Sequence, residues 1–104
     1  MQRIVTVIYV LIFEDDESHA DQRPLHMAEH LQFLAKNGDR VKAAGPLREA
    51  ATSKPAGGMW LVEADNPGQV QELMEEDPFW ATGLRKSVRL LEWAQVFADG
   101  KKLI

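Results

Sequence analysis

The sequence has 104 residues and contains no cysteine. This absence excludes disulfide bonds, thiol nucleophiles and every metal or cluster site that needs cysteine ligands, and it is compatible with a reducing compartment. Phosphate-binding loops are also absent, because neither G-x-G-x-x-G nor G-x-x-x-x-G-K-[ST] occurs. No Ser-His-Asp spacing stands out either. The sequence therefore gives no support to nucleotide chemistry or to serine hydrolysis.

Long apolar runs and an excess of positive charge are missing as well. The apolar stretch from Ile4 to Phe13 is about half of what a membrane-spanning helix needs. Acidic residues 14–17 follow it, where a signal peptide would have a small-residue cleavage site. Twelve Lys and Arg against sixteen Asp and Glu give a net charge of −4, which argues against a nucleic-acid-binding domain. We therefore expect one cytoplasmic domain, covering residues 1–104, that binds neither nucleic acid nor membrane.

Hydrophobic residues make up 45% of the chain, which is ordinary for a globular domain. Runs of β-branched and aromatic residues predict strands at residues 4–13, 40–47, 58–64 and 88–97. The first helix has Pro24 in its first turn and ends at Asn37-Gly38. The second helix opens at Asn66-Pro67 and ends before Asp77-Pro78, since proline disfavours helical geometry in the residue before it. Residues 48–57 are predicted to form a loop, and residues 79–85 a compact connection.

The apolar faces of the two helices follow from residue spacing. In the first helix, an i, i+3, i+4, i+7 stripe is formed by Met27, His30, Leu31 and Leu34. In the second, the apolar face consists of Val70, Leu73 and Met74. We expect both faces to pack on the same side of the sheet.

The element order β-α-β-β-α-β is that of a ferredoxin-like α+β sandwich, with a four-stranded antiparallel sheet and two helices on one face. The first strand does not alternate between apolar and polar residues, so both of its faces should be covered. The helices cover only one face. A second copy of the chain is the simplest cover for the other, because a large apolar sheet face is rarely left open to water. We therefore predict a homodimer that pairs through the sheet face.

Three motifs, in the same order along the chain, resemble those of the YciI-like family, and the resemblance as a whole extends from about residue 3 to 97. Residues 30–47, HLQFLAKNGDRVKAAGPL, are similar to the family's first helix and second strand. Residues 77–84, DPFWATGL, resemble its Asp-Pro-aromatic motif, which ends in glycine, and Ser87-Val88, Leu90 and Trp93 resemble the pattern of its last strand. The resemblance implies a ferredoxin-like domain that pairs into a dimeric α+β barrel, as in the related muconolactone isomerases.

The resemblance also implies a site. The family is described as having a catalytic His/Asp pair in a pocket between sheet and helices, and the matching residues here are His30 and Asp77. One characterised relative removes chloride from a chlorinated hydroxyhydroquinone. The sequence departs from the family pattern in two places: Met27 stands where members often have arginine, with Arg23 one helical turn further back, and Glu92 replaces a residue that is often proline.

A His/Asp pair suits proton transfer. The imidazole titrates near neutrality, and a carboxylate bonded to one ring nitrogen fixes the tautomer and leaves the other nitrogen as general base or acid. Taken without the family motif, His30 fits a core histidine with local hydrogen-bond partners, and Asp77 fits a helix stop before Pro78. The topology puts both helices on one face of the sheet, which would bring the two side chains together.

Further candidates surround this pair. Arg48 and Arg23 could bind an anionic substrate bidentately, although solvated surface charge is the preferred explanation for both. Phe79 and Trp80 could line an apolar pocket for a ring-shaped ligand, with Trp80 the preferred choice. Residues 26–30 spell H-x-x-E-H, a zinc-ligand spacing. A protease of that type needs another ligand and a much larger scaffold, so we expect no metal site.

Two functions remain open from the sequence. The first is a cofactor-independent enzyme, a lyase or isomerase, that transfers a proton on an oxygenated ring or enol-lactone with His30 as base or acid and Asp77 as its orienting partner. The second is a metabolite-binding or regulatory dimer that performs no chemistry. A barrel monooxygenase that uses oxygen directly is a third and weaker alternative, which oxygen uptake would distinguish.

Overall fold

The structure is a computed structural model, and it describes residues 7–104. Three residues of the first predicted strand, 4–6, lie outside the described residues. The strands are β1 (Val7–Asp15), β2 (Val41–Arg48), β3 (Pro55–Ala64), β4 (Arg85–Trp93), β5 (Phe97–Ala98) and β6 (Lys101–Lys102). The helices are α1 (Gln22–Lys36), α2 (Pro67–Glu76) and α3 (Pro78–Ala81), with a 3-10 turn at Glu17–His19.

The four long strands form one sheet in the order β2-β3-β1-β4, and every neighbouring pair is antiparallel. This arrangement confirms the predicted α+β class and ferredoxin-like element order. β1 lies in the centre of the sheet, between β3 and β4. Within the described residues, no helix has the length and apolar character that crossing a membrane requires.

The core lies between the helices and one face of the sheet. On β1, Tyr9, Leu11 and Phe13 are buried, and they alternate with partly exposed residues because successive side chains of a strand point to opposite faces. On β3, Trp60 lies opposite Leu11 and is 1% exposed. The apolar face of α2 completes this core through Val70, Leu73 and Met74, as its spacing predicted.

The outer face of the sheet is also apolar. It carries half-buried Ile8, Val10 and Ile12 on β1, and on β4 it carries Leu91 and Trp93, which are 41% and 43% exposed. The prediction that β1 is apolar on both faces is therefore confirmed. The predicted pairing of two copies through this face stays a prediction.

The first helix differs from its predicted stripe. Leu31, placed on the core-facing side by its spacing, is 56% exposed. Phe33 packs on the core in its place, with its ring centroid 6.2 Å from that of Trp60. The i, i+4 neighbours of a helix spread over a wide arc, and here α1 is rotated so that His30 and Phe33 face the sheet.

The fourth strand and its approach also differ from the prediction. β4 runs from Arg85 to Trp93 rather than from residue 88 to 97. After it the chain reverses in a separate β5–β6 hairpin, whose turn holds Asp99 and Gly100 at φ of 53° and 77°. The predicted compact connection contains a helical turn, α3, which the side chain of Asp77 caps.

Candidate active site

His30 is the buried polar residue on α1. It is 6% exposed and lies among aromatic rings, with its own ring centroid 6.3 Å from that of Trp60. Because α1 packs on the sheet with this side of the helix, the imidazole points into the interior rather than into bulk water. A polar ring in such a position needs a hydrogen-bond partner.

Asp77 is that partner, and the local sequence explains its position. It ends α2 with φ −64° and ψ 131°, an extended conformation that Pro78 imposes on the residue before it. The carboxylate accepts a hydrogen bond from the backbone N–H of Phe79 at 3.2 Å and so caps α3. Asp77 is 4% exposed.

The two side chains meet in the core. Nδ1 of His30 lies 2.7 Å from Oδ1 of Asp77, across 47 residues of sequence. An ionised carboxylate only accepts hydrogen bonds, so this contact assigns the proton of a neutral imidazole to Nδ1. Nε2 is then the ring nitrogen with a lone pair available for proton transfer.

The Phe79 ring stacks on the imidazole, with centroids 4.2 Å apart and planes inclined by 20°. Phe79 itself is fully buried. The stacking fixes the orientation of the His30 ring plane, and the hydrogen bond to Asp77 fixes the rotation of the ring within that plane. One short turn, Asp77-Pro78-Phe79, therefore orients the histidine in two ways.

A cavity of about 110 Å³ opens beside His30, between α1 and the sheet. Its volume is comparable with the roughly 150 Å³ apolar cavities that hold one benzene molecule. Its walls come from α1, β2, β3 and β4: Arg23, Met27, His30, Leu31, Leu34, Ala44, Gly45, Pro46, Trp60 and Arg85. The cavity is mostly apolar, with one imidazole and two guanidinium groups as its polar elements, a composition typical of a small-molecule site.

The two arginines of the cavity share one carboxylate. Asp15 accepts a hydrogen bond from Nη1 of Arg85 at 3.1 Å through Oδ1, and Oδ2 pairs with Nη2 of Arg23. The side chain of Arg85 is 4% exposed. Burial lowers the pKa of the Arg85 guanidinium, and the nearby Asp15 carboxylate opposes that shift.

Sequence reasoning did not find Arg85. It falls where the sequence predicts an irregular connection, whereas in the structure it opens β4 directly opposite Asp15. An acidic residue at the end of the first strand and a basic residue at the start of the last are a usable signal once those strands are known to be antiparallel neighbours.

The other predicted site residues take different positions. Arg48 is exposed at the end of β2, and Trp80 is 38% exposed. Neither is among the described residues that line the His30 cavity, whereas Arg23 is. Phe79 contributes from behind the imidazole rather than from the cavity wall.

The H-x-x-E-H spacing is formed on α1 but its members do not converge. Nδ1 of His26 lies 3.7 Å from Glu29, while Nδ1 of His30 is committed to Asp77. Within residues 7–104, no group of three or more His, Cys, Asp or Glu side chains is arranged to hold a metal ion.

A larger groove of about 800 Å³ is also lined by Arg23. Its rim carries the acidic residues Glu14, Asp15, Asp16 and Glu17. The groove does not include His30 or Asp77 among its described lining residues. The smaller cavity, which is lined by the His30 of the buried pair, is therefore the candidate active site.

Comparison with known families gives one match over most of the chain. The sequence model of the YCII-related domain matches residues 7–94. No curated protein matches the sequence.

Comparison with solved structures gives two informative neighbours. One is the 5-chloro-2-hydroxyhydroquinone dehydrochlorinase from Burkholderia phenoliruptrix AC1100, solved with 2,5-dihydroxybenzoquinone. It is 23% identical with a TM-score of 0.73 over 84% of this chain and 93% of its own. The other is a hypothetical protein of Arabidopsis thaliana, 13% identical with a TM-score of 0.54 over 95% of this chain and 96% of its own. At these identities the likeness concerns the fold.

Proposed function

The chain belongs to the YCII-related family, and we propose that it is a small-molecule enzyme that uses the His30–Asp77 pair to transfer a proton. The observation that carries the proposal is the 2.7 Å contact between a buried carboxylate and a buried imidazole that lines a ring-sized cavity.

In the proposed mechanism, Nε2 of His30 accepts a proton from an O–H or C–H group of the bound substrate. The electron pair of that bond moves into the substrate and forms an enolate or phenolate. Asp77 stays ionised, keeps Nδ1–H in place and stabilises the imidazolium that results. The imidazolium then returns the proton to another substrate atom, which gives an isomerase. Alternatively a leaving group departs from the substrate anion with its bonding pair, which gives a lyase, and the imidazolium releases its proton to solvent.

We infer the substrate class from the cavity and from family likeness. The apolar walls and a volume of about 110 Å³ suit a single ring. The dehydrochlorinase with the similar fold acts on 5-chloro-2-hydroxyhydroquinone, an oxygenated aromatic ring. An oxygenated ring or enol-lactone substrate therefore fits the site. Proton transfer and elimination of hydrogen chloride are redox-neutral between substrate and products, so the proposed reaction needs no redox cofactor.

We also propose that the enzyme is a homodimer. The outer sheet face presents apolar Val10 and Ile12 at its centre and exposed Leu91 and Trp93 beside them, and a second copy would remove this surface from water. Sedimentation at micromolar concentration should show a dimer, and Val10→Asp should dissociate it. A stable monomer of the unmodified protein would contradict this part of the proposal.

The catalytic proposal is tested in D₂O with 5-chloro-2-hydroxyhydroquinone and a muconolactone as probe substrates. Chloride release and deuterium incorporation, both measurable without knowledge of the natural substrate, report lyase and isomerase activity. His30→Asn should reduce the rate by roughly 10²- to 10⁴-fold, the usual contribution of a general base. His26→Asn is the matched control, since it removes an imidazole one turn away on the same helix and should leave the rate unchanged.

Retention of full activity by a folded His30→Asn variant would remove His30 from the mechanism. If both probes bind to the unmodified protein but neither reacts nor exchanges, the metabolite-binding alternative is favoured instead.

A further inference from the structure

The cluster of Arg23, Asp15 and Arg85 carries more positive charge than its own hydrogen bonds neutralise. Both guanidinium groups bond to the same carboxylate, one to each oxygen. With two cations and one anion, the cluster has a net charge of +1. The Asp77 carboxylate lies near Arg85, but it is already bonded to His30 and to the backbone of Phe79.

Arg85 is the unusual member of this cluster because it is buried. Its side chain is 4% exposed and its guanidinium carbon lies 4.2 Å from the centre of the Phe13 ring and 5.4 Å from that of Phe79. The N–H groups of a buried cation normally all donate hydrogen bonds to acceptors, since an unpaired buried charge is costly.

The donors of Arg85 are only partly used. Nη1 bonds to Asp15, whereas Nε is buried with no hydrogen-bond partner among the described residues. The hydrogen bonds and ion pairs of the described residues do not involve Nη2 of Arg85 either. Nε and Nη2 form the side-on edge of a guanidinium, the edge that binds two oxygens, or one oxygen twice, in carboxylate recognition.

Arg85, whose Nε has no partner among the described residues, is one of the residues that line the His30 cavity. Arg85, Arg23 and His30 all line that cavity, and all three pack on the ring of Phe79. A ligand in a space of about 110 Å³ that touches the imidazole therefore lies close to both arginines.

The backbone of β3 makes room for this arrangement. Gly58 is buried beside the guanidinium, and a Cβ atom there would lie 3.3 Å from Nη1 of Arg85. Its φ is not in the left-handed region, so the glycine is not required by backbone conformation. The space it leaves is occupied by Arg85.

We propose that Arg85, supported by Arg23, binds an ionised oxygen of a one-ring substrate through its Nε and Nη2 donors. This inference rests on the proposed function and deepens it, because it assigns an anionic substrate class (enolate, phenolate or ring carboxylate) to the same cavity. Arg85 then takes the substrate-binding role that the sequence suggested for Arg48.

The assignment agrees with the charge changes of the proposed reaction. When His30 takes the proton, the imidazolium and Asp77 together are neutral, and the negative charge left on the substrate faces the +1 cluster of Arg23, Asp15 and Arg85. Fixed donors in a buried site stabilise such a charge without reorganising at the moment of reaction.

Binding of benzoate and benzamide tests the inference, because the two compounds have nearly the same size and only benzoate is ionised. Calorimetric titration of the unmodified protein should show clear preference for benzoate. Arg85→Gln should weaken benzoate binding by roughly 10- to 100-fold, the value of a charge-assisted hydrogen bond, and leave benzamide unchanged. Arg48→Gln is the control and should affect neither compound.

A folded Arg85→Gln variant that binds benzoate as the unmodified protein does overturns the inference, and so does an unmodified protein that shows no preference for benzoate. If Arg85→Gln fails to fold, Arg85→Lys decides, since it retains the charge but removes the Nε–Nη2 edge; unchanged benzoate affinity in that variant overturns the inference. The His30→Asn variant provides the separation from the proposed function. It should still prefer benzoate, so that loss of turnover reports on His30 and loss of anion preference on Arg85.

Discussion

The phenyl ring of Phe79 stacks on the imidazole of His30, with centroids 4.2 Å apart and planes inclined by 20°. The contact exists because Asp77, two residues before Phe79, bonds to the same imidazole at 2.7 Å. Pro78 sets the extended conformation of Asp77 and opens the short helix α3, which turns the chain so that both side chains reach His30. Two residues of the Asp-Pro-aromatic motif, the aspartate and the aromatic residue, therefore orient His30 together.

Two substitutions of Asp77 should distinguish the contributions of its two hydrogen bonds to the free energy of unfolding. Asp77→Ala leaves both Nδ1 of His30 and the N–H of Phe79 without a partner, and we expect a loss of about 2–3 kcal/mol in the free energy of unfolding. Asp77→Asn keeps an oxygen for the Phe79 N–H and should cost clearly less. Urea denaturation measures both variants, and equal losses would show that capping contributes nothing.

Phe79→Leu should affect both stability and activity. The leucine still fills much of the buried volume but removes the stacking on His30, so we expect a loss of about 1–2 kcal/mol together with a lower turnover rate. Trp80→Leu is the matched control, because the neighbouring aromatic residue is 38% exposed. Thermal melts and the chloride-release assay distinguish the two. A larger loss of turnover in Trp80→Leu than in Phe79→Leu would support the sequence-based choice of Trp80 as the residue that lines the ligand pocket.

Gly57, near the start of β3, is predicted to be irreplaceable. Its φ is +88°, and a Cβ atom would lie 1.9 Å from the carbonyl oxygen of Phe13. Gly57→Ala should destabilise the protein by more than about 2 kcal/mol, through strain and displacement of β1. At Gly45 a Cβ would meet nothing within 4 Å, so Gly45→Ala should be nearly neutral. Comparable melting temperatures for the two variants would contradict the β1–β3 geometry.

The tyrosine Tyr9, the single tyrosine of the chain, should limit stability at alkaline pH. Burial raises its pKa, and Glu92, opposite it on β4, and Asp65 raise it further. A raised folded-state pKa means that the stabilisation is complete below the unfolded value of about 10 and is lost as pH rises through the folded value.

Ultraviolet titration of tyrosinate follows Tyr9 directly, since no other tyrosine contributes. Unfolding midpoints should fall above pH ~10 in the unmodified protein and change less in Tyr9→Phe. A tyrosine that titrates at its ordinary value in the folded protein would contradict its position in the core.

The fold could be predicted from the sequence because its signals are local. Pro67, Asn66 and the Val70, Leu73, Met74 face define α2, and the structure agrees at each of these positions. The rotation of α1 could not be read in the same way. Leu31 and Phe33 are both apolar, and which of them faces the sheet depends on packing against Trp60. Trp60 is 27 positions from Phe33, so the periodicity of the helix alone could not show this contact.

The candidate site shows the same division. His30 and Asp77 were found through motifs, and the topology suggested that they would meet. The sequence did not indicate Arg85, because the role of this residue depends on strand register. A charged residue at a strand end is normally expected to be solvated. Here the pairing of β1 with β4 puts Asp15 opposite Arg85, and the guanidinium packs against two aromatic rings. Trp80 was preferred to Phe79 because burial within a short turn cannot be read from composition.

The tautomer of His30 is the most direct test of the central claim that Asp77 prepares this histidine for proton transfer. Imidazole ¹⁵N chemical shifts, measured by long-range proton–nitrogen correlation at a pH where the ring is neutral, report which nitrogen carries the proton. The account predicts a protonated Nδ1 and an unprotonated Nε2 in the unmodified protein, with this preference lost in Asp77→Ala. A neutral His30 that carries its proton on Nε2 in the unmodified protein would contradict it.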